Sequence, residues 1–236
     1  MRVSYDFHIH TAGSPCAEEE MTPHNIIQLA KLLGKQIIAI TDHNTCMNCE
    51  AVRCVGETEG IIVIPGMEIE CMEEFHMIAL FPTLEGAQHI QEVVYAGLPT
   101  IKNRKGIFGE QPILNASSEC VGENERFLLT ATQVSAMELV EQIKTVEGIA
   151  IPAHIDRTSY SILSNLGGIP EELGFSMLEV STEADMKAYQ MCYPNYRIIR
   201  GTDAHRLEMF CACEQFIELD ILSVQGLFEK FKIDRI

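Results

Sequence analysis

Short apolar runs alternate with amphipathic helical patterns along most of this chain, and this alternation limits the fold more than any other feature. Strand-like runs cover residues 3–9, 36–41, 61–69, 75–81, 149–153, 176–181, 197–202 and 215–219. Alternation of this kind is typical of βα units. We therefore predict an α/β barrel, distorted or incomplete, with about seven strands. An open doubly wound sheet is the alternative, but no Gly-rich nucleotide loop follows the first run.

Capping residues indicate where the intervening helices begin. Thr22 followed by Pro23 is a favourable helix start, because a capping side chain precedes a proline at the first helical position. Ser135 and Glu138 have the spacing of a capping box. Further helices are predicted over about 48–59, 183–192 and 223–231.

Residues 98–134 break the alternation. This segment is rich in Gly and Pro, and it holds two extended runs, 111–114 and 126–132, around a predicted hairpin turn at 115–124. It has too few apolar residues for a core of its own, so we interpret it as an insertion in a single domain of residues 1–236. Turn-rich insertions of this kind often act as lids, and we expect this one to cover part of a cleft and to influence substrate choice.

The composition excludes several classes of protein. The chain is 47% hydrophobic, which is enough for one large core. Its formal net charge of −17 disfavours broad binding to nucleic acids. No apolar run approaches the length of a membrane span, and the first residues do not have the layout of a signal peptide. The nine cysteines show no disulfide-scaffold spacing, which favours a cytoplasmic location.

Histidines lie at or just beyond the ends of several predicted strands. His10, His43, His154 and His205 each follow a different apolar run, and His8 lies two positions before His10. In α/β barrels the carboxyl ends of the strands form the active-site face, so these side chains should converge. The sequence therefore predicts a metal site, in which Asp6 could orient a ligand histidine without contacting the ion.

Carboxylates complete this set of candidate ligands. Glu68 follows an apolar run, although Glu70 is a rival two positions later, and Asp203 precedes His205 by two residues. His76 begins a run instead of ending one, so its place at the site stays open. Nitrogen and oxygen ligands of this kind suit divalent ions of zinc, manganese or iron.

Cysteines offer a second, weaker metal pattern. The pairs Cys46/Cys49 and Cys211/Cys213 could hold a structural zinc ion, although buried thiols more often only pack. Cys16 lies six residues after His10, in a loop that could fold back over the cluster.

Jointly, these motifs resemble those of the polymerase and histidinol phosphatase (PHP) family of metallophosphoesterases. The matching segments are DFHIHT at 6–11, ITDHN at 40–44, GMEIE at 66–70, FHMIALF at 75–81, PAHIDR at 152–157 and GTDAHR at 201–206. The resemblance implies a distorted (β/α)7 TIM-like barrel with two or three metals. It also implies three ligand sets: His8, His10, Glu68 and Asp203; Glu68, His76 and His154; and His43, His205 and Cys16. The chain departs from the family pattern in the third set, because relatives often have His or an acid at the Cys16 position.

A phosphomonoesterase is the function that this site favours. We expect in-line attack on a small phosphorylated metabolite by a metal-bound hydroxide, with Glu68, Asp203 and His205 as catalytic residues. Arg157 and Arg206 each follow a ligand motif and could bind the phosphate, although each could equally form a surface ion pair. The alternatives are a nuclease of the same family, an amidohydrolase, which would need a carboxylated lysine, and a metal-binding regulatory module without activity.

Overall fold

The computed structural model describes residues 1–212 and 215–233. Ten strands run through these residues: β1 (Arg2–Asp6), β2 (Ile37–Ile40), β3 (Ile62–Glu70), β4 (His76–Leu80), β5 (Pro112–Leu114), β6 (Cys120–Glu123), β7 (Ile149–Pro152), β8 (Met177–Val180), β9 (Arg197–Arg200) and β10 (Phe216–Glu218). Eight α-helices accompany them: α1 (Pro23–Leu32), α2 (Cys49–Glu59), α3 (Leu84–Gly97), α4 (Lys105–Phe108), α5 (Ala136–Thr145), α6 (Ile162–Leu166), α7 (Met186–Cys192) and α8 (Val224–Ile233). None of the described helices is long and apolar enough to cross a membrane.

Seven of the described strands, β1–β4 and β7–β9, curl into a barrel, and β10 pairs with β1 as an additional antiparallel strand. The main sheet has the order β10-β1-β2-β3-β4-β7, and β8 pairs with β9 in parallel. Two contacts close the circle. Ile155 N, beyond the end of β7, donates to Glu179 O of β8, and Ile9, beyond the end of β1, forms a β-bridge with Ala204, beyond the end of β9. The barrel is distorted because β4 runs antiparallel to both β3 and β7. The predicted distorted TIM-like barrel is confirmed.

The barrel strands separate two apolar layers. Along β2, Ile38 and Ile40 join the cluster that contains the buried faces of α1 and α2. Ile37 and Ala39 join the other cluster, in which Phe231 of α8 is fully buried. Since side chains of a strand alternate between its faces, this continuous apolar run fills both layers.

Two predicted helix starts are confirmed by their caps. The Thr22 side chain accepts a hydrogen bond from Asn25 N, and Pro23 occupies the first turn of α1. The Ser135 side chain accepts from Glu138 N at the start of α5. These side chains satisfy backbone N–H groups that have no partner within the helix.

The hairpin inside the insertion is shorter than predicted. β5 pairs with β6, which lies within the segment predicted as the turn, and residues 126–132 form no strand. The reason is local, because Asn115 Oδ1 accepts hydrogen bonds from both Ser117 N and Glu119 N. Ser118 adopts a left-handed φ of 63°, so the chain reverses within five residues.

Candidate metal centre

The candidate ligands converge at the carboxyl ends of the barrel strands. His10 follows β1, His43 follows β2, His154 follows β7 and His205 follows β9, while Glu68 lies near the end of β3. His76, which the sequence pattern alone left open, begins β4. Because β4 is antiparallel to β3, its first residue lies beside the end of β3, where Glu70 pairs with His76.

The carboxylate of Glu68 is the centre of the cluster and is almost completely buried. Burial raises its pKa, but the surrounding imidazoles outweigh burial and hold the pKa well below its usual value. Five imidazole nitrogens lie within 3.3 Å of its two oxygens: His8 Nε2 at 3.3 Å, His10 Nε2 at 3.3 Å, His43 Nδ1 at 3.1 Å, His76 Nδ1 at 2.9 Å and His154 Nε2 at 3.0 Å. The carboxylate of Glu70 belongs to none of the described ligand groups.

Asp203 provides a second carboxylate, at one side of the cluster. Its Oδ1 lies 3.2 Å from His8 Nε2, 3.1 Å from His10 Nε2 and 3.4 Å from His205 Nδ1. Its Oδ2 lies 2.7 Å from Arg157 Nη1. The pKa of Asp203 falls well below its usual value, because the imidazoles of His8 and His10 outweigh the effect of burial.

Three groups of ligand atoms among the described residues are close enough to hold an ion, with the atoms of each group within 4.8 Å of one another. They are His8, His10, Glu68 and Asp203; His43, Glu68 and His76; and His10, His43 and His205. The first group agrees with the set that the family resemblance implied. The second contains His43 where His154 was expected, and the third contains His10 where Cys16 was expected.

The donor atoms fit divalent ions. His8 Nε2 and Glu68 Oε2 are buried, and although charged or polar atoms lie near both, no contact has the geometry of a hydrogen bond. Buried polar atoms are rarely left unpaired, and an ion held by these two side chains would explain the exception. Imidazole and carboxylate donors suit zinc, manganese or iron.

The imidazoles differ in charge in the metal-free protein. Burial lowers the pKa of His10, but Asp203 and Glu68 outweigh this effect and raise the pKa to about 9. Burial and the positive charge of His10 lower the pKa of His205 to about 4. At neutral pH His205 is therefore ready to coordinate an ion, whereas His10 must first lose a proton.

Glu179, in β8, is a functional residue that the sequence analysis missed. Its two carboxylate oxygens lie 3.0 and 3.1 Å from His8 Nδ1, and Oε2 also accepts a hydrogen bond from His154 N at 3.0 Å. A Cβ at position 201 would lie 2.0 Å from Glu179 Oε1, so Gly201 leaves the room that this carboxylate occupies. The available signal was the single acid within the apolar run 176–181.

Ser14 and Asp42 support His10 in a comparable way. His10 Nδ1 and the backbone N of His43 both lie within hydrogen-bond distance of Ser14 Oγ, at 3.0 and 3.1 Å. Ser14 Oγ in turn donates to Asp42 Oδ1 at 2.7 Å. Asp42 also accepts two hydrogen bonds from Thr11, so this buried carboxylate fixes the loop after β1.

The expectation that Asp6 orients a ligand histidine is wrong. Its carboxylate accepts hydrogen bonds from the backbone N of His8 and from the N and Oγ1 of Thr202. Asp6 therefore joins the end of β1 to the residues that follow β9. The imidazole of His8 is held by Glu179 instead.

The two predicted phosphate-binding arginines lie in different surroundings. Arg157 contacts Asp203 at the edge of the cluster, and its side chain is 42% exposed. Arg206 is exposed and makes long ion pairs with Glu18 and Glu208, both at 3.9 Å. Arg157 is therefore the arginine with a direct contact to the candidate site.

The cysteines do not enter the described ligand groups. Cys16 is an exposed residue, although local desolvation of its thiol and the negative charges of Glu68 and Asp203 raise its pKa to about 12. Cys49 is buried, and its thiol donates to the carbonyl oxygens of Ile40 and Gly66, which indicates packing. Cys46 is also buried, whereas the side chains of Cys211 and Cys213 lie outside the described part of the structure.

The insertion contacts the loops that surround the cluster. Asn44, next to His43, donates through Nδ2 to the carbonyl oxygens of Leu128 and Thr130. Gly109 lies so close to Pro15 that a Cβ on it would come within 2.2 Å of the Pro15 carbonyl oxygen. The insertion therefore packs against the loops after β1 and β2, which carry Cys16 and His43.

A buried His/Asp/Glu cluster at the carboxyl ends of a distorted barrel is the architecture of a metal-dependent hydrolase. The family model of the PHP domain matches residues 6–148, which is more than half of the chain. The chain therefore belongs to the PHP domain family, as its motifs predicted.

Individual proteins are similar to part of the chain or share its fold. An uncharacterized protein of Methanocaldococcus jannaschii is 36% identical over 86 residues, which cover 32% of this chain and 48% of the relative. A lesion-specific endonuclease of Pyrococcus furiosus superimposes with a TM-score of 0.73 and 19% identity, covering 98% of this chain and 56% of the endonuclease. A proposed metal-dependent phosphoesterase of Bifidobacterium adolescentis has a TM-score of 0.60 and 19% identity, covering 86% and 87% of the two chains. The match spans about half the length of the first two relatives.

Proposed function

We propose that this chain is a metal-dependent phosphoesterase that hydrolyses a small phosphomonoester. The observation that carries the proposal is the position of Arg157, which contacts Asp203 directly beside a cluster fit for two or three divalent ions. A guanidinium has five N–H donors, so Arg157 can hold Asp203 and a phosphate oxygen at the same time. A cation beside a cluster of metal ligands favours an anionic substrate.

The residues of the cluster have distinct roles in this proposal. Glu68 is shared by two of the ligand groups and would hold neighbouring ions, whereas Asp203 would bind one ion and position Arg157. His205 Nδ1 lies 2.9 Å from Asp203 O, which leaves Nε2 as the coordinating atom. When bound, the ions neutralise phosphate oxygens and activate water as the nucleophile. In the overall reaction a P–O bond to the water oxygen forms, the ester P–O bond breaks, and the leaving alcohol gains a proton.

The charge of the chain favours a small substrate over a polymer. A net charge of −17 opposes the approach of a nucleic-acid backbone, which needs many cationic contacts. The structural likeness to an endonuclease, at 19% identity, concerns the fold. A nuclease is nevertheless the second candidate, because the same ions could hydrolyse a phosphodiester.

Three further proposals concern the whole molecule. We infer that residues 1–236 form one domain with an insertion at about 98–134. The contacts of this insertion with the loops after β1 and β2 support a role as a lid that influences substrate choice. We also propose zinc, manganese or iron as the native metals, since the donors are imidazoles and carboxylates. Free thiols at Cys46, Cys49 and Cys71 support a reducing, cytoplasmic location.

Parallel assays of the metal-reconstituted protein test the function. The substrates are a panel of small phosphomonoesters, a single-stranded oligonucleotide, a duplex with an abasic site, and an amide. We expect turnover of phosphomonoesters that chelation abolishes and Mn²⁺, Fe²⁺ or Zn²⁺ restores. Cleavage of an oligonucleotide without phosphomonoester turnover would favour the nuclease, and activity in fully stripped protein would exclude the proposed chemistry.

A further inference from the structure

Tyr160 presents an exposed aromatic ring at the edge of the metal centre. Its ring stacks on the imidazole of His76, with the centroids 4.9 Å apart and the planes inclined by 27°. The backbone N of His76 donates to Tyr160 O at 2.9 Å. The residue is nevertheless 52% exposed, so one contact holds the ring while much of its surface stays open to solvent.

The backbone of Tyr160 adopts a conformation that bulky residues rarely take. Its φ is 54°, in the left-handed region, where a side chain with a Cβ is disfavoured. The adjacent Ser161 is fully buried, and its Oγ donates to Arg157 O at 2.7 Å and accepts from Ser164 N at 3.2 Å. Strained conformations of this kind persist only where the surroundings impose them, and they concentrate at functional sites.

Arg157 and Tyr160 belong to the same loop after β7, but they contact different sides of the cluster. Arg157 lies against Asp203, which contacts His8 and His10. Tyr160 lies against His76, which contacts Glu68 Oε1. A molecule at the centre therefore meets a cationic group from one part of this loop and an aromatic ring from the other.

We propose that Tyr160 selects the leaving group of the substrate, and that the substrate is a phosphate ester whose alcohol carries a planar ring. The ring stacks on the exposed part of Tyr160 while Arg157 holds the phosphate. This proposal rests on the phosphoesterase function proposed above and makes its substrate class specific. Aromatic faces stack on planar rings more favourably than on puckered aliphatic rings of similar size.

A matched pair of esters tests this assignment with the protein reconstituted with Mn²⁺. Benzyl phosphate and cyclohexylmethyl phosphate both release a primary alcohol, and they differ in whether the ring is planar. From the strength of stacking on aromatic side chains, we expect the wild type to prefer benzyl phosphate by about 5- to 150-fold in kcat/KM. Equal kcat/KM values for the two esters would overturn the proposal.

Two variants separate stacking from support of His76. Tyr160→Phe keeps the ring and should keep the preference. Tyr160→Asn removes the ring but suits a left-handed backbone, so we expect kcat/KM to fall more for benzyl phosphate than for cyclohexylmethyl phosphate and the preference to disappear. An equal loss for both esters in Tyr160→Asn would show that the ring only supports His76, which would overturn the proposal.

A binding measurement distinguishes failure of this inference from failure of the phosphoesterase function. Benzylphosphonate and cyclohexylmethylphosphonate cannot be hydrolysed, and calorimetry gives their affinities for wild type and both variants. If neither ester is hydrolysed, the phosphoesterase proposal fails, yet a wild-type preference for benzylphosphonate that is lost in Tyr160→Asn still supports the role of Tyr160. Equal affinities for the two phosphonates overturn it.

Discussion

Glu179→Gln is the substitution that most directly tests how the metal centre is organised. The Glu179 carboxylate lies 3.0 and 3.1 Å from His8 Nδ1 and accepts a hydrogen bond from His154 N at 3.0 Å. A glutamine has the same shape, but one of its oxygens becomes an NH₂ group. An amide oxygen at the Oε2 position can still accept from His154 N and His8 Nδ1, but it carries no full charge. The NH₂ group at the Oε1 position faces His8 Nδ1, which is itself a donor when Nε2 binds an ion, so this second hydrogen bond is lost.

The size of the effect follows from the bond that is lost. A hydrogen bond to a charged acceptor contributes about 1.5–3 kcal/mol, which corresponds to about 10- to 150-fold in an equilibrium constant. Loss of a carboxylate that orients a metal-binding histidine typically lowers metal affinity about 10- to 100-fold. We therefore expect Glu179→Gln to weaken the ion held by His8, His10, Glu68 and Asp203 by about 10- to 100-fold.

Competition between stripped protein and a chromogenic chelator measures this affinity. Glu183→Gln is the matched control, because Glu183 is an exposed acid on the loop after β8 and its replacement changes the net charge equally. Gly201→Ala should resemble Glu179→Gln, since the added Cβ would lie 2.0 Å from Glu179 Oε1. Circular dichroism checks that each variant is folded. Wild-type affinity in Glu179→Gln, together with a clear loss in His8→Ala, would refute the reasoning.

Three further predictions concern the ions. Glu68→Gln should lower turnover at least about 100-fold, because Glu68 contributes to two ligand groups, whereas Glu70→Gln should change turnover only a few-fold. Steady-state kinetics measures both, and the reverse order would show that Glu70 is the bridging residue. The ligand group that contains His205 includes His10 and not Cys16. Elemental analysis should therefore find one bound ion fewer in His205→Ala and an unchanged number in Cys16→Ala. Loss of an ion from Cys16→Ala would show that Cys16 is a ligand. Because the pKa of His10 is about 9 without metal, His10 is protonated at pH 7, and the ion that it coordinates should displace its proton on binding. Calorimetry in buffers of different ionisation enthalpy measures this proton release, and its absence would contradict the raised pKa.

The sequence predicted the barrel and most of the cluster because both depend on short-range patterns. A buried strand needs a continuous apolar run, and a ligand after such a run must lie at the carboxyl end of the barrel, as for His43 and His154. His76 was undecided because its place depends on the antiparallel direction of β4, which no local pattern specifies.

The features that the sequence did not predict depend on contacts between distant residues, or on side-chain hydrogen bonds that favour a turn over a strand. Glu179 looks like one acid in an apolar run, and its partner His8 is 171 residues away along the chain. The hairpin was misplaced because apolar character suggested a strand at 126–132, whereas hydrogen bonds to the Asn115 side chain close a tighter turn earlier.

The left-handed residues around the centre have a consequence for the stability of the whole protein. Asn44, His154, Tyr160 and Asp203 have φ values of 52°, 30°, 54° and 49°. Such conformations cost on the order of 1–3 kcal/mol each, least for Asn, and domains of this size have only about 5–15 kcal/mol of stability in total. Glycine at position 154 or 203 would relieve this strain but remove a side chain of the metal centre. A lineage that lost its need for metal would therefore gain thermal stability through the same substitutions that inactivate it.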